Sequence, residues 1–259
     1  MREKIASFLI PIIVLFSILL VGQFVLQSKS AYAALDTAAD MTTLNAKLTE
    51  AFKTNPTSFS IKYTGAFTGT TFKEITDNLF KDEYLKYSTK TYNISITGTT
   101  ITFPFTYWET TAQRAAVDTK VTTILAGIIT PGMSDFAKEK AVHDWIITNV
   151  AYDTTLVQHS AYAGLFGDYK TVCQGYALLA YKMLMDPSVN IPAHIIEGKA
   201  HGVGHTWILA QIGGQWYHLD PTWDDPVPDI INRKVYAYYN LTDAQIAVDH
   251  TWSQTSPIT

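Results

Sequence analysis

The chain has one cysteine in 259 residues, Cys173, so no intramolecular disulfide can staple it and packing must supply its stability. Charge is also scarce: 16% of residues are Asp, Glu, Lys or Arg, the formal net charge is -4, and no stripe concentrates Lys or Arg. That balance leaves nucleic acid and anionic membrane surfaces as poor partners. There is no internal repeat and no low-complexity tract, and no sequence motif calls for a cofactor.

What is there begins with Met1-Arg2-Glu3-Lys4, an almost unbroken apolar run from Ile5 to Val21, and then Ala31-Tyr32-Ala33-Ala34. A charged head, an apolar middle and a small-x-small site read as a secretory signal peptide, residues 1–34, cleaved after Ala33 or Ala34. If the apolar run extends through Val25-Leu26 it reaches the ~20 residues of a membrane span, and the segment is then an uncleaved anchor. Only in that case is a membrane a partner. Cleavage leaves a mildly acidic chain, secreted or held at the cell surface, long enough for one large domain or two small ones.

Residues 35–110 read as a smaller α+β unit without a chemical motif. Helical spacing appears in Thr43 to Phe52 and in Phe72 to Phe80, and β-rich alternation in 58–63, 84–87, 92–96 and 100–107. The aromatics of this unit are expected in its core and on its sheet faces. Residues 111–259 form the second unit. Helices are expected over 111 to about 130 and over 134–149, separated by Pro131-Gly132. The second should bury Phe136, Ala137, Ala141, Trp145 and Ile146, with His143-Asp144 as a satisfied surface or interface pair. A helix carrying Ala177, Leu178, Ala180, Tyr181 and Leu184 follows Cys173, and strands are expected over 191–197, 205–212 and 215–220.

An unpaired cysteine in an exported chain is a liability unless it has work to do, although a lone cysteine is also a common small core residue. If Thr171 is the N-cap, Cys173 falls in the first helical turn, where free backbone N–H groups and the helix dipole favour a negative sulfur. The same N–H groups can hold a carbonyl oxyanion. A nucleophile also needs a proton carrier. Gly213-Gly214 suits a two-residue primed turn, which pairs 212 with 215, 209 with 218 and 207 with 220. His205, Trp207, Leu209, His218 and Asp220 then share one face, with His205 and Asp220 on a diagonal of roughly 7–8 Å. His205 is thus the candidate base, Asp220 its orienter, and His218 a rival base; the His205/Asp220 pair alone could equally be a structural one. His201 and His205 have metal-type spacing, but Gly202 and Gly204 argue against a helix there and no third ligand is evident, so no metal is expected.

The ordered segments Ala161-Tyr162-Ala163-Gly164-Leu165, Val172-Cys173-Gln174-Gly175-Tyr176-Ala177, Gly204-His205-Thr206-Trp207 and Trp216-Tyr217-His218-Leu219-Asp220-Pro221-Thr222-Trp223 resemble the bacterial transglutaminase-like domain family. Tyr239-Asn240-Leu241-Thr242-Asp243 and Asp249-His250 are similar to that family's tail. The resemblance implies an α+β fold with a papain-like transglutaminase core, in which a helix bearing the cysteine packs on an antiparallel sheet. It implies Cys173 as nucleophile, His205 as general base and acid, and Asp220 as orienter. The substrate would be a protein or peptide, including cell-wall or surface proteins, acylating Cys173 through a Gln carboxamide or a peptide carbonyl. An amine would resolve the thioester by cross-linking, or water by deamidation or proteolysis. The alternative is a non-catalytic surface binding or adhesion module on the same fold. Animal transglutaminases place a Gln before the cysteine, whereas Gln174 follows it, so the second oxyanion donor is open between Tyr162 and Trp145.

Overall fold

The computed structural model describes residues 36–230 and 232–253. The expected leader, residues 1–34, lies outside them. The first elements are β1 (Asp36–Ala38), α1 (Met41–Phe52), β2 (Ser58–Tyr63), α2 (Thr71–Leu79), α3 (Glu83–Ser88), β3 (Thr89–Tyr92), β4 (Ser95–Thr97) and β5 (Thr100–Tyr107). Their strands form one sheet in the order β1-β2-β5-β3, with β4 also on β5 and β1 parallel to β2. Leu44, Leu48 and Phe52 recur at helical spacing on α1 and meet Ile61, Ile101, Phe103 and Phe105 of the sheet, where alternate residues point inward.

The segment 84–87, expected as a strand, is helical. Asp82 caps α3 by accepting from the Leu85 N–H, and Tyr84, Leu85, Tyr87 and Ser88 are all buried. An alternating pattern cannot describe a turn buried nearly all round, and the local cap decides the conformation. Tyr84 and Tyr87 point away from the first sheet into the core of the following elements.

Those elements are α4 (Thr111–Ile128), α5 (Asp135–Asn149), β6 (Ala151–Tyr152), α6 (Ala161–Leu165), β7 (Lys170–Thr171), α7 (Cys173–Met185), β8 (Ala193–Ala200), β9 (Val203–Ile212), β10 (Gln215–Leu219), α8 (Asp243–Ile246) and β11 (His250–Trp252). A Thr110/Gln113 capping box starts α4, and Ser134 caps α5. The helix α7 is apolar nearly all round, with Tyr176 through Ala180, Met183 and Leu184 buried among α4, α5, α6 and the antiparallel sheet β10-β9-β8-β11. A cysteine-bearing helix on an antiparallel sheet is the α+β arrangement of a transglutaminase-like, papain-like core.

The helix α5 buries Glu139, Val142, His143, Ile146 and Ile147; of the expected face Ile146 is buried and Trp145 packs partly buried on the core, but Ala137 and Ala141 are only half-buried and Phe136 is 51% exposed. Polar partners explain the rotation. Glu139 accepts from the Tyr239 hydroxyl and the Asn240 amide, and His143 Nε2 lies 3.0 Å from Asp224 Oδ2. His143 is therefore a core residue, not a surface one.

Candidate active site

The glycines of the β9–β10 hairpin determine where the chemistry can sit. Gly213 and Gly214 have φ of 58° and 84°, the left-handed values a two-residue primed turn requires. The turn pairs Ile212 with Gln215 and Leu209 with His218, the register read from the sequence. Continued by one step, it brings His205 and Asp220 to one face, with His205 Nε2 2.5 Å from Asp220 Oδ2.

Asp220 is fully buried and saturated with donors. Its Oδ1 accepts the Thr222 and Trp223 N–H groups, and its Oδ2 faces His205 and, at 3.1 Å, His250 Nε2. Burial pushes the Asp220 carboxyl up, but the charge and hydrogen bond of His205, with the His250 bond, outweigh it and hold the group below the usual carboxylate range. For His205, burial pulls downward and is overcome by Asp220 and then by the Cys173 sulfur, so the imidazole is raised and stays protonated through neutral pH. With Nε2 held by the carboxylate, Nδ1 is the ring nitrogen free to face the thiol.

Cys173 is the first residue of α7 and half-buried. The N-cap is Val172, not Thr171, and no side chain caps it. Thr171 instead donates its hydroxyl to the Gln158 and Ser160 carbonyls, pinning the loop that enters the helix. A Cβ on Gly175 would stand 1.8 Å from Thr171 Oγ1 and 2.7 Å from the Ser160 carbonyl oxygen, so only glycine fits where the entry loop crosses the helix. The Cys173 and Gln174 N–H groups, the first two of α7, have no intrahelical acceptor and are available to an oxygen at the sulfur, whereas the Gly175 N–H is taken by the Val172 carbonyl. Gln174 is engaged elsewhere: its amide donates to the Tyr87 carbonyl, and its Oε1 meets His159 Nδ1 at 3.1 Å.

Cys173 and His205 open into one cavity of ≈ 470 Å³, lined also by Tyr152, His201, Trp223, Asp225 and Val227. Val203, Trp223 and Val227 present exposed apolar surface at its rim. Neither Tyr162 nor Trp145 lines this cavity. Tyr162 stacks on Phe166, and Trp145 packs against the core. Tyr152 does line it, its phenol pushed up by burial and then by the neighbouring Cys173 sulfur. Asp225 accepts from the Tyr176 hydroxyl at 2.5 Å, and burial raises it to about 6.

His218, the rival base, is tied up elsewhere. Its Nδ1 accepts from Trp207 Nε1, its Nε2 faces Asp243 Oδ1 at 2.9 Å, and it does not line the cavity. His201 lines the cavity but belongs to no metal-capable cluster among the described residues. The one such cluster is His205, Asp220 and His250, whose donor atoms lie within 4.8 Å of one another. Both imidazole nitrogens there point at one carboxylate oxygen at hydrogen-bond distance, an arrangement the three residues satisfy among themselves.

His250 is the site residue that spacing could not find. It is fully buried, comes from the last strand, and sits edge-on to Trp207 at 5.0 Å. Its presence in the tail motif was the only signal, and nothing local connects it with Asp220 across 30 positions.

Residues 122–221 match the transglutaminase-like superfamily. The matched segment contains Cys173, His205 and Asp220 and ends before His250. Among solved structures, the chain is similar to one described as a TGase, with 15% identity and a TM-score of 0.40, over 67% of this chain and 52% of that one. It is also similar to a protein from Cytophaga hutchinsonii provisionally called a cysteine protease, with 18% identity and a TM-score of 0.35, over 51% of this chain and 61% of that one. The match thus spans about half to three fifths of those chains. No curated protein matches the sequence.

Proposed function

We propose that the protein is an exported cysteine enzyme that transfers acyl groups from protein or peptide substrates. The observation that carries this reading is a half-exposed Cys173 at a helix start, sharing a cleft with an imidazole whose far nitrogen is held by a buried carboxylate. In the proposed sequence, Cys173 Sγ attacks a Gln carboxamide or peptide carbonyl, and its proton resides on His205 Nδ1. The tetrahedral oxyanion is held by the N–H groups at the start of α7. Its collapse breaks the C–N bond while His205 returns the proton to the departing nitrogen, leaving a thioester and ammonia or an amine. An incoming amine or water gives its proton to His205 as it attacks the thioester, and the thiol is regenerated. Asp220 keeps the imidazole in the useful tautomer and supports its charge. The charged head, apolar run and Ala-Tyr-Ala site of residues 1–34 support export.

The test is to incubate the protein and its Cys173→Ala variant with a glutamine-rich protein and a labelled primary amine, followed by mass spectrometry. Amine incorporation that requires Cys173 identifies cross-linking, conversion of Gln to Glu identifies deamidation, and backbone scission identifies proteolysis. If none occurs across a broad substrate panel, and no acyl adduct forms on Cys173, the protein is a binding module on this fold.

A further inference from the structure

A second concavity, of ≈ 880 Å³, lies on the first sheet and shares no lining residue with the Cys173 cleft. Its wall includes Tyr92, Phe105 and Tyr107 from the paired strands β3 and β5. The three rings run nearly parallel: Tyr92 and Phe105 lie 5.7 Å apart at 23°, and Phe105 and Tyr107 5.9 Å apart at 17°. Tyr92 is 48% exposed, whereas Phe105, at 2%, belongs to the core and Tyr107 is partly buried against it.

The same wall carries polar groups without partners. Asn55 is 94% buried, at 6% exposure, yet neither its Oδ1 nor its Nδ2 has a hydrogen-bond partner. Glu109, 2% exposed, uses Oε1 to accept from the Tyr84 hydroxyl, while its buried Oε2 has no partner. A buried amide without a partner loses its hydration with nothing in return, and such groups in a native fold call for an occupant that satisfies them. Threonines, Asn93, Pro104, Trp108 and Gln113 complete the lining, and no Lys, Arg or His belongs to it.

We infer that this groove binds a neutral oligosaccharide, with a pyranose face against the exposed Tyr92 ring, which the buried Phe105 backs, and ring hydroxyls bonded to the Asn55 amide and Glu109 Oε2. A sugar hydroxyl donates and accepts at once, so one hydroxyl can meet Asn55 Oδ1, another Nδ2, and a third Glu109 Oε2. The flat C–H faces of a pyranose suit an exposed aromatic ring; an ammonium group also would, by cation–π attraction, but at the Trp108 ring that place is taken by Lys90, whose Nζ lies 4.6 Å from the centroid. An apolar wall with a few convergent polar groups is the general form of a small-ligand site. An extended peptide is the competing occupant, and its binding in place of sugar is one outcome of the test.

The probes are chitotetraose, cellotetraose and maltotetraose, titrated calorimetrically into the chain with Cys173 carbamidomethylated, so that the acyl-transfer cleft is blocked. Tyr92→Ala removes the exposed ring, and Asn55→Gly removes the amide while tolerating the φ of 47° at that position. At least one tetrasaccharide should bind with the cleft blocked, and each variant should weaken it at least about tenfold, or 1.4 kcal/mol, with an unchanged melting temperature for Tyr92→Ala. Absence of binding by all three sugars, binding that survives both variants, or binding of an unstructured peptide in place of sugar would each overturn the assignment. Because the thiol is blocked throughout, none of these results bears on the acyl-transfer reading.

Discussion

Asp220 is shared by two imidazoles, and the two contacts are unequal. His205 reaches it at 2.5 Å and looks into the cleft, whereas His250 reaches it at 3.1 Å and is enclosed. Asp220→Asn retains an oxygen for the Thr222 and Trp223 N–H groups, so the loop should fold, but the new NH2 turns the His205 tautomer the wrong way round. Turnover in the amine-incorporation assay should fall about 10²–10⁴-fold with a nearly unchanged urea midpoint; near-normal turnover would make Asp220 a structural residue. His250→Gln should cost less, lower kcat rather than raise KM, and shift the pH profile, because that ring orients the carboxylate without touching the substrate. Glu139 lies away from the chemistry, and burial raises it from 4.5 to about 7. Its folded state binds the proton more tightly than the unfolded chain, so its contribution to stability is complete below about pH 4.5 and declines as pH rises toward 7. Glu139→Gln should remove this decline, on the order of 3 kcal/mol at most, as read from urea midpoints at about pH 5 and about pH 8.

At the scale of the element, the crossing of the entry loop over α7 leaves less room for a side chain than any other glycine site among the described residues. Gly175→Ala would drive a methyl into Thr171 Oγ1 and the Ser160 carbonyl, where the second neighbour is backbone and cannot swing aside. A loss of at least about 1–3 kcal/mol is expected, together with slower alkylation of Cys173 or none, measured by denaturant titration and iodoacetamide kinetics. The elements that sequence reading found were those with local instructions: caps at Thr110 and Ser134, and the Gly213-Gly214 turn that sets the whole β9–β10 register. From that register the His205/Asp220 contact was legible. Where the decisive partner is distant, the reading failed. The turn 84–87 takes its form from a capping Asp and a core supplied by later helices. The face of α5 is set by Tyr239, Asn240 and Asp224, some eighty to one hundred positions on. His250 joins the site for the same reason, through sheet pairing of β11 with β8 that no spacing rule anticipates.

Across the whole molecule, the early residues are stitched into the later core. Glu83 accepts from the Ile195 N–H at 2.6 Å and meets His194 Nδ1 at 2.7 Å, Gln174 reaches the Tyr87 carbonyl, and Tyr84 and Tyr87 sit among the residues around α7. Glu83→Ala should therefore lower the stability of both halves together by about 1–3 kcal/mol, and fluorescence and circular dichroism should still report one coincident unfolding transition. Two separated transitions would show that the halves fold independently. The solitary cysteine has a further consequence at this scale. A half-exposed sulfur beside an imidazolium is open to peroxide, and the sulfenic acid so formed would find no second thiol in the chain to condense with. Its return to the thiol would depend wholly on thiols from outside, and without them further oxidation would end in an irreversible acid.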